Sequence, residues 1–232
     1  MSTAWIEALL EDAEDHRRRT GRPLVTLSYA QSLDGSLAAR RGQPLALSGD
    51  EAMRLTHSLR AAHQALLVGS GTMQADDPRL TVRQVEGRQP QPVVLDSHLR
   101  TPLTAALFKH PNLPWIATRL DCHPKRANRL EAAGARLLRM PLDSRGMIDL
   151  LALLECLAAC GIASLMVEGG GRVLGSFYDQ GLADQVVLTI APLIVGGYPV
   201  QLEKPLSSPF RRLHPMNIQQ LGEDLIVWGK LT

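Results

Sequence analysis

The sequence predicts a three-layer α/β fold, with helices on both faces of a mainly parallel sheet and an antiparallel hairpin at the C-terminal end. Short apolar runs alternate with amphipathic helical stretches along most of the chain, which is the pattern of βαβ units. Two final strand-like runs, 218–221 and 225–230, flank the turn residues at 222–224, and this predicts the hairpin. We expect a helical extension at residues 1–20 and one larger domain at residues 21–232.

The elements are predicted in a regular order along the chain. A polar amphipathic helix is expected at 5–19, where Gly21 and Pro23 then end it. Strands are expected at 24–30, 65–68, 92–95, 114–117, 136–138, 164–167 and 185–191, and helices at 48–63, 124–133, 147–160 and 172–180, with a short helical turn before Asp76. Ser48 is expected to cap its helix, because Glu51 follows at the capping-box spacing.

Composition narrows the class of protein. The 232 residues are 45% apolar and 21% charged with a net charge of +2, which suits a soluble globular protein and argues against nucleic-acid and acidic-membrane partners. No apolar run approaches the ~20 residues that span a bilayer, and the N-terminus lacks the features of a signal peptide, so we expect a cytoplasmic protein. Cys156 and Cys160, four apart on an apolar helix, are interpreted as buried small side chains, and no metal is expected.

A glycine-rich turn, Glu168-Gly169-Gly170-Gly171, follows a predicted strand and opens a helix. Free backbone N–H groups and the positive helix end make this context an anion site. The turn matches neither the G-x-G-x-x-G fingerprint nor a P-loop, and a tight connection without a ligand is an equally good interpretation of the glycines alone. Glu168 lies where α/β proteins bind ligands, although an acid there also complements the helix dipole.

The segment 68–83 carries the densest set of polar side chains. Arg79, Thr81 and Arg83 alternate, so in an extended segment they face one way. Arginine forks suit phosphate, and Arg60, late in the preceding helix, is placed to join them. The alternative is a solvated loop whose Asp–Arg pairs each contribute less than about 1 kcal/mol.

Five stretches of the sequence then carry a resemblance to a known family. In chain order they are Ser32-Leu-Asp-Gly35, Leu59-Arg60, Gly71-Thr-Met-Gln-Ala-Asp-Asp-Pro-Arg-Leu-Thr-Val-Arg83, Leu95-Asp-Ser97 and Val167-Glu-Gly-Gly-Gly171. From about Arg22 onward the chain resembles the reductase domain of the bifunctional riboflavin-biosynthesis deaminase/reductase and the stand-alone pyrimidine reductases of that pathway. The resemblance implies a dihydrofolate-reductase-like fold, a homodimer, and NADPH-dependent reduction of a ribosylamino-pyrimidine 5′-phosphate to its ribitylamino form, with 21–232 as the pyrimidine reductase domain.

The resemblance also implies roles position by position. Contacts to the NADPH cofactor are expected from Thr72, Asp76 and Ser97, and its phosphates are expected at Gly169, Gly170, Gly171, Arg172, Val173, Leu174, Gly175 and Ser176. Substrate contacts are expected from Arg60, Leu80, Arg83 and Glu168, with Asp76 and Glu168 as the candidate general acids. Ser97, Arg100, Thr118 and Arg119 follow predicted strands and are candidates for the 2′-phosphate pocket, ordinary surface polarity being the alternative for each.

Two departures from the family pattern bear on function. Where bifunctional bacterial members carry Ser-x-Trp, this chain has Pro44-Leu45-Ala46, which removes an aromatic contact to the cofactor. The His-x-Glu and Pro-Cys-x-x-Cys signature of zinc deaminases is absent from the sequence, so no deamination is expected. The alternatives are a same-fold reductase of another pterin-like or pyrimidine substrate, and a non-catalytic nucleotide-binding protein.

Overall fold

A computed structural model of the chain describes residues 4–43, 45–203 and 210–232. Its strands, numbered in chain order, are β1 (Leu24–Ser32), β2 (Ala65–Gly69), β3 (Gln91–Leu95), β4 (Trp115–Arg119), β5 (Arg136–Met140), β6 (Ser164–Val167), β7 (Gln185–Ala191), β8 (Asn217–Leu221) and β9 (Asp224–Lys230). The α-helices are α1 (Ala4–Leu10), α2 (Ala13–Thr20), α3 (Asp50–Ala62), α4 (Ser70–Asp76), α5 (Pro124–Ala132), α6 (Leu150–Ala159) and α7 (Gly171–Asp179).

The strands form one sheet in the order β5-β4-β3-β2-β6-β1-β7-β9-β8. Every pairing among β1 to β7 is parallel, whereas β9 runs antiparallel to both β7 and β8. The C-terminal hairpin therefore extends the parallel sheet at one end. This confirms the predicted fold class, a mainly parallel sheet with an antiparallel C-terminal hairpin.

Two apolar cores lie on the two faces of the sheet. Along β2, Leu66 and Val68 contribute to one core, and Ala65 and Leu67 contribute to the other, as the two-residue period of a strand requires. Helices α1, α3, α4 and α5 supply buried side chains to the first core, and α6 and α7 supply them to the second. Covering both faces gives the three layers, and it explains why the central strands are continuous apolar runs.

The N-terminal segment differs from its prediction. It forms two helices, α1 and α2, instead of one, because the chain turns at Glu11 and Asp12 before α2 begins. Ile6 is buried in the first core, and Trp5 stacks on Trp228 with ring centroids 4.3 Å apart. The extension thus packs on the sheet, and the division between residues 20 and 21 stays a prediction.

Two helix starts were also mispredicted. Ser48 does not cap α3; Gly49 is the N-cap residue, and its N–H donates to the Asp224 carboxylate at 2.8 Å. Helix α6 begins at Leu150, not 147, because the Asp149 carboxylate accepts the Ala152 N–H at 3.1 Å and so caps it there.

The cysteines of α6 are less buried than predicted. Cys156 is half-buried and packs against the second core, and Cys160 is half-buried with Arg136 Nη2 at 3.7 Å from its sulfur, so the interpretation of both as buried side chains is met only in part. No group of three or more metal-ligating side chains occurs among the described residues. In the same ranges, no helix has both the length and the apolar character needed to cross a bilayer.

Candidate active site

A cleft of about 390 Å³ opens at the carboxyl ends of β2, β3 and β6. Open α/β sheets bind their ligands at this edge, and the volume is within the range of small-molecule pockets. Its walls come from the loop after β1, helix α4, the loop after β3 and the start of α7. The predicted cofactor residues that line it are Thr72, Asp76, Ser97, Gly170, Gly171, Arg172 and Val173.

The N-terminal end of α7 faces this cleft without a side-chain cap. Gly170 is the N-cap residue and has no side chain to accept the first N–H groups of the helix. A Cβ at Gly170 would lie 3.3 Å from the Thr72 hydroxyl, so these two residues face each other closely. The first turn of α7 therefore presents unused N–H donors and a positive dipole end to an anionic ligand.

The other predicted phosphate-binding positions do not line the cleft. Gly169 precedes the helix, Leu174 is fully buried in the second core, and the Ser176 hydroxyl donates to the Arg172 carbonyl at 3.0 Å. A Cβ at Gly175 would overlap the backbone of Gln201. These residues therefore shape and pack α7, and their side chains do not reach a ligand in the cleft.

Packing also accounts for one glycine inside the cleft. A Cβ at Gly171 would lie 2.6 Å from the Pro199 carbonyl oxygen, and the Gly171 carbonyl accepts the Gln201 N–H at 3.0 Å. Two of the glycines predicted to hold the cofactor phosphates, Gly171 and Gly175, thus allow residues 199–201 to approach α7 closely. The sequence leaves open whether these glycines serve a ligand or a tight connection, and at Gly171 and Gly175 the close approach is to neighbouring backbone.

The two adjacent acids of the 71–83 motif have different environments. Asp76 lies one helical turn after Thr72 on α4 and lines the cleft, and partial burial raises the pKa of its carboxyl group. Asp77 ends the helix in the left-handed conformation (φ 40°), and its carboxylate accepts the Ala106 N–H at 2.8 Å. Asp76 therefore remains open to the cleft, while the Asp77 carboxylate has a structural partner.

Arg60 and Glu168 form a bidentate ion pair beside the glycine-rich turn. Arg60 Nε and Nη2 each donate to one oxygen of Glu168 at 2.6 Å, and the two side chains are only 12% and 15% exposed. Arg60 Nη1 also donates to the Thr81 carbonyl at 3.3 Å. Although burial opposes it, the Glu168 carboxylate raises the pKa of Arg60. Both predicted substrate residues are therefore already partnered, and the arginine fork is directed at a carboxylate.

Arg83 is more exposed than Arg60 and bonds through its side chain only to Thr81 Oγ1, at 2.9 Å, among the described residues. Burial first, and then the charges of Arg60 and Arg79, lower the pKa of Arg83. The three arginines thus create an excess of positive charge that an anion would relieve. Arg60, Arg79 and Arg83 lie near one another as predicted, and within the described part of the chain Arg60 is the one of the three that has a carboxylate partner.

Leu80 interrupts the extended segment that was predicted through Arg79, Thr81 and Arg83. Its φ is 55°, and its side chain is 1% exposed within the first core. The side chain therefore cannot contact a ligand, and only the backbone of this predicted substrate residue is open to that role.

The loop after β3 brings Ser97 and Arg100 to the cleft. Arg100 Nη2 donates to the Ser70 hydroxyl at 3.1 Å, and both residues line the cavity. The buried Asp96 carboxylate holds the loop in place by accepting the N–H and hydroxyl of Thr101 at 2.7 and 2.8 Å. Arg100 forms no ion pair with a carboxylate in the described ranges.

The other two candidates for the 2′-phosphate pocket have different surroundings. Thr118 is fully buried, and its hydroxyl donates to the Ser97 carbonyl at 3.2 Å. Arg119 is paired with Asp121, with Nη2 donating to the carboxylate at 2.7 Å. Neither lines the cleft, because Thr118 faces the core and Arg119 is taken up by its neighbour.

Sequence reasoning missed several residues of the cleft. Arg41 and Gln43 line it from the loop after β1, Met147 lies before α6, and Tyr198 closes it beside Gly171. The adjacent glycines Gly196 and Gly197 are the one sequence feature that marks the stretch around Tyr198. In the structure, Tyr198 pairs with Ala38 in the loop after β1. Of the residues that replace the Ser-x-Trp pattern, Leu45 lines the cleft and Ala46 is exposed outside it, and Pro44 lies outside the described residues.

The sheet order and the cleft at its carboxyl edge are those of an α/β protein that binds a small-molecule ligand. The sequence model of the RibD C-terminal domain family matches residues 23–227 of the chain. The chain therefore belongs to the RibD C-terminal domain family, which confirms the resemblance seen in its motifs.

Individual relatives agree with this assignment. The chain is 38% identical over 184 residues to the riboflavin biosynthesis protein RibD of Bacillus amyloliquefaciens, a match that covers 78% of the chain and 49% of that protein. It is 32% identical over 221 residues to the 2,5-diamino-6-ribosylamino-4(3H)-pyrimidinone 5′-phosphate reductase of Archaeoglobus fulgidus, covering 91% and 99%. Among solved structures, Acinetobacter baumannii RibD superposes with a TM-score of 0.82 at 25% identity, covering 97% of this chain and 62% of the other. The chain thus spans about half the length of a curated RibD protein but nearly all of the archaeal reductase.

Proposed function

We propose that this chain is an NADPH-dependent reductase that converts a ribosylamino-pyrimidine 5′-phosphate into its ribitylamino form. One observation carries the proposal: an uncapped helix end and Asp76 share a cleft, and the arginine cluster with Glu168 adjoins the same edge of the sheet. The uncapped helix end in the cleft suits a dinucleotide, and the arginine cluster with Glu168 suits a phosphorylated heterocycle. The names of the relatives support the same reaction class.

The residues of the cleft fit the nicotinamide cofactor. The N–H groups at the start of α7, with Gly170 as N-cap residue, would hold the pyrophosphate, and Thr72 faces them. Ser97 would contact the cofactor from the loop after β3. When bound, NADPH supplies the hydride, and the protein's part is to orient it and exclude water.

We assign the acid step to Asp76. In the reaction the bond between C1′ and the ring oxygen breaks, a hydride adds to C1′, and the ring oxygen takes a proton. The place of Asp76 in the cleft supports this assignment, and its partial burial raises the pKa of the carboxyl group, the direction that favours a proton donor. Glu168, held by two hydrogen bonds from Arg60, serves instead as a hydrogen-bond acceptor for N–H groups of the pyrimidine.

Arg83 is the proposed contact of the 5′-phosphate. Its guanidinium is exposed and lies in an excess of positive charge, whereas the fork of Arg60 faces Glu168. Arg60 contributes by orienting Glu168 and the Thr81 carbonyl, and Leu80 would contact the substrate through its backbone. Arg83→Ala should raise KM for the phosphorylated substrate far more than KM for NADPH, and an equal rise in both would remove this role.

The deciding assay follows NADPH absorbance with the uracil and the diaminopyrimidinone ribosylamino phosphates offered separately. Oxidation with one of them establishes the reaction and its place before or after deamination. Absence of turnover with both, together with measured NADPH binding, would overturn the proposal in favour of a different heterocyclic substrate or a non-catalytic nucleotide-binding protein.

Arg100 is the proposed determinant of NADPH over NADH. It is the residue among the four candidates that combines a place in the cleft with a guanidinium free of carboxylate partners in the described ranges. Calorimetry with 2′-phospho-AMP and AMP isolates the phosphate. Arg100→Gln should remove most of the preference for the phosphorylated ligand, while the matched variant Arg119→Gln should leave it unchanged; the reverse pattern would assign the pocket to Arg119.

The proposal includes a cytoplasmic homodimer. Leu33, Leu193 and Ile194 are 62%, 44% and 76% exposed and belong to two adjoining loops, since the Leu33 N–H donates to the Leu193 carbonyl. Clustered exposed apolar side chains favour an interface. Light scattering on the purified chain should give twice the monomer mass, and a monomeric mass at micromolar concentration would contradict this part.

A further inference from the structure

The backbone of residues 81–83, which carries Arg83, is held by the side chains of His57, Arg60 and Gln89. The Arg83 N–H donates to His57 Nδ1 at 3.3 Å, and Arg60 Nη1 donates to the Thr81 carbonyl. Gln89 bonds both polar groups of Val82, with its amide oxygen at 2.8 Å from the N–H and its amide nitrogen at 2.9 Å from the carbonyl. Residues 81–83 are therefore fixed although they belong to no helix or strand.

His57 has an unusual hydrogen-bonding state for a buried residue. It is 0% exposed on α3, and because Nδ1 accepts a hydrogen bond, the ring proton must be on Nε2. Nε2 is buried and has no hydrogen-bond partner among the described residues. A buried N–H without a partner destabilises the fold, so a polar ring at this position needs a reason other than stability.

The charge state of the ring is consistent with a fixed acceptor. Burial first, and then the charges of Arg60 and Arg83, lower the pKa of His57 to about 4, while Glu168 opposes them. Arg60 lies on α3, Arg83 lies in the loop between α4 and β3, and Glu168 follows β6. The ring is therefore neutral at physiological pH, and Nδ1 keeps the lone pair that receives the Arg83 N–H.

We propose that His57 is a positioning residue for phosphate binding: its neutral ring fixes the Arg83 backbone so that the Arg83 guanidinium is held where the substrate phosphate binds. The inference rests on the proposed role of Arg83. Holding the guanidinium in advance lowers the entropy lost when the phosphate binds. An apolar side chain of similar size at position 57 would fill the same space but would supply no acceptor for the Arg83 N–H.

The test compares His57→Leu, His57→Asn and His63→Asn. Leucine fills the space but removes the acceptor, and asparagine restores an oxygen near the position of Nδ1. His57→Leu should raise KM for the phosphorylated substrate roughly tenfold, leave the dissociation constant of NADPH unchanged, and speed hydrogen exchange at the Arg83 amide. His57→Asn should recover most of the loss. His63→Asn removes another buried histidine, bonded to Leu59 and Thr26, and should leave KM unchanged.

A measurement on the wild-type protein does not depend on any variant folding. Nitrogen chemical shifts of labelled histidine should identify His57 as neutral with its proton on Nε2 at neutral pH; a proton on Nδ1 overturns the inference. Arg83→Ala, measured in parallel, separates the two proposals. If it raises KM and His57→Leu does not, the positioning role is wrong, whereas if Arg83→Ala has no effect on KM, the phosphate role of Arg83 fails and the positioning role with it.

Discussion

The ion pair between Arg60 and Glu168 gives the sharpest energetic prediction. Both side chains are at least 85% buried, and two N–H···O bonds of 2.6 Å join them. Arg60→Met or Glu168→Leu alone leaves a buried charge without its partner, which should lower the free energy of unfolding by about 3–5 kcal/mol. The double variant replaces both charges by apolar side chains of similar length, so its stability should return to within about 1 kcal/mol of the wild type.

Urea unfolding of the four proteins at constant m-value measures these differences as a double-mutant cycle. The double variant should be folded but should not turn over substrate, because the carboxylate acceptor is gone. Arg83→Ala serves as the control, since an exposed arginine should change stability by less than about 0.5 kcal/mol. Single variants that each cost less than about 1 kcal/mol would refute the description of this pair as buried and mutually dependent.

Three further predictions concern packing, chemistry and pH. Gly175→Ala should lower stability by about 1–3 kcal/mol, because its Cβ meets the Gln201 backbone, whereas Gly71→Ala, with open space around its Cα, should not lower it in the same denaturation assay. Asp76→Asn should lower kcat at least a hundredfold by removing the acid, and a kcat within threefold of the wild type would exclude that role. Stability should fall as pH drops from 6.5 towards 4, because the buried His57 and His63 each have a folded pKa of about 4 and an unfolded value of 6.5, so the unfolded chain binds the protons first. The difference corresponds to roughly 3 kcal/mol for each histidine, and thermal melts of the wild type and the exposed His98→Gln control should show the same fall, whereas a flat wild-type curve would contradict it.

Periodicity located the sheet because its central strands are apolar on both faces. Strands β6 and β7 begin and end where the sequence predicts, since turn residues or glycines bound both of them. Helix ends were less accurate. The start of α6 is determined by Asp149, and that of α3 depends on Asp224, a residue 175 positions away whose contact with Gly49 no local pattern reveals.

In the candidate site, too, features set by neighbouring residues could be predicted from the sequence, and features set by distant residues could not. Motif positions on one turn, such as Thr72 and Asp76, reach the cleft together because the helix they share determines their direction. The glycines of the turn were ambiguous, because a missing Cβ serves a nearby backbone as well as a phosphate, and only the position of residues 199–201 separates the two uses.

Arg60 and Arg83 illustrate why residue type alone did not assign roles. In the sequence both arginines lie near the 71–83 motif, and their guanidinium groups offer the same N–H donors. In the fold, Glu168 lies 108 positions from Arg60 and takes up its fork, while Arg83 keeps an exposed guanidinium within the field of its neighbours. The roles proposed for them follow from burial. A buried arginine requires a permanent acid partner, and the proposal therefore assigns phosphate binding to the exposed Arg83.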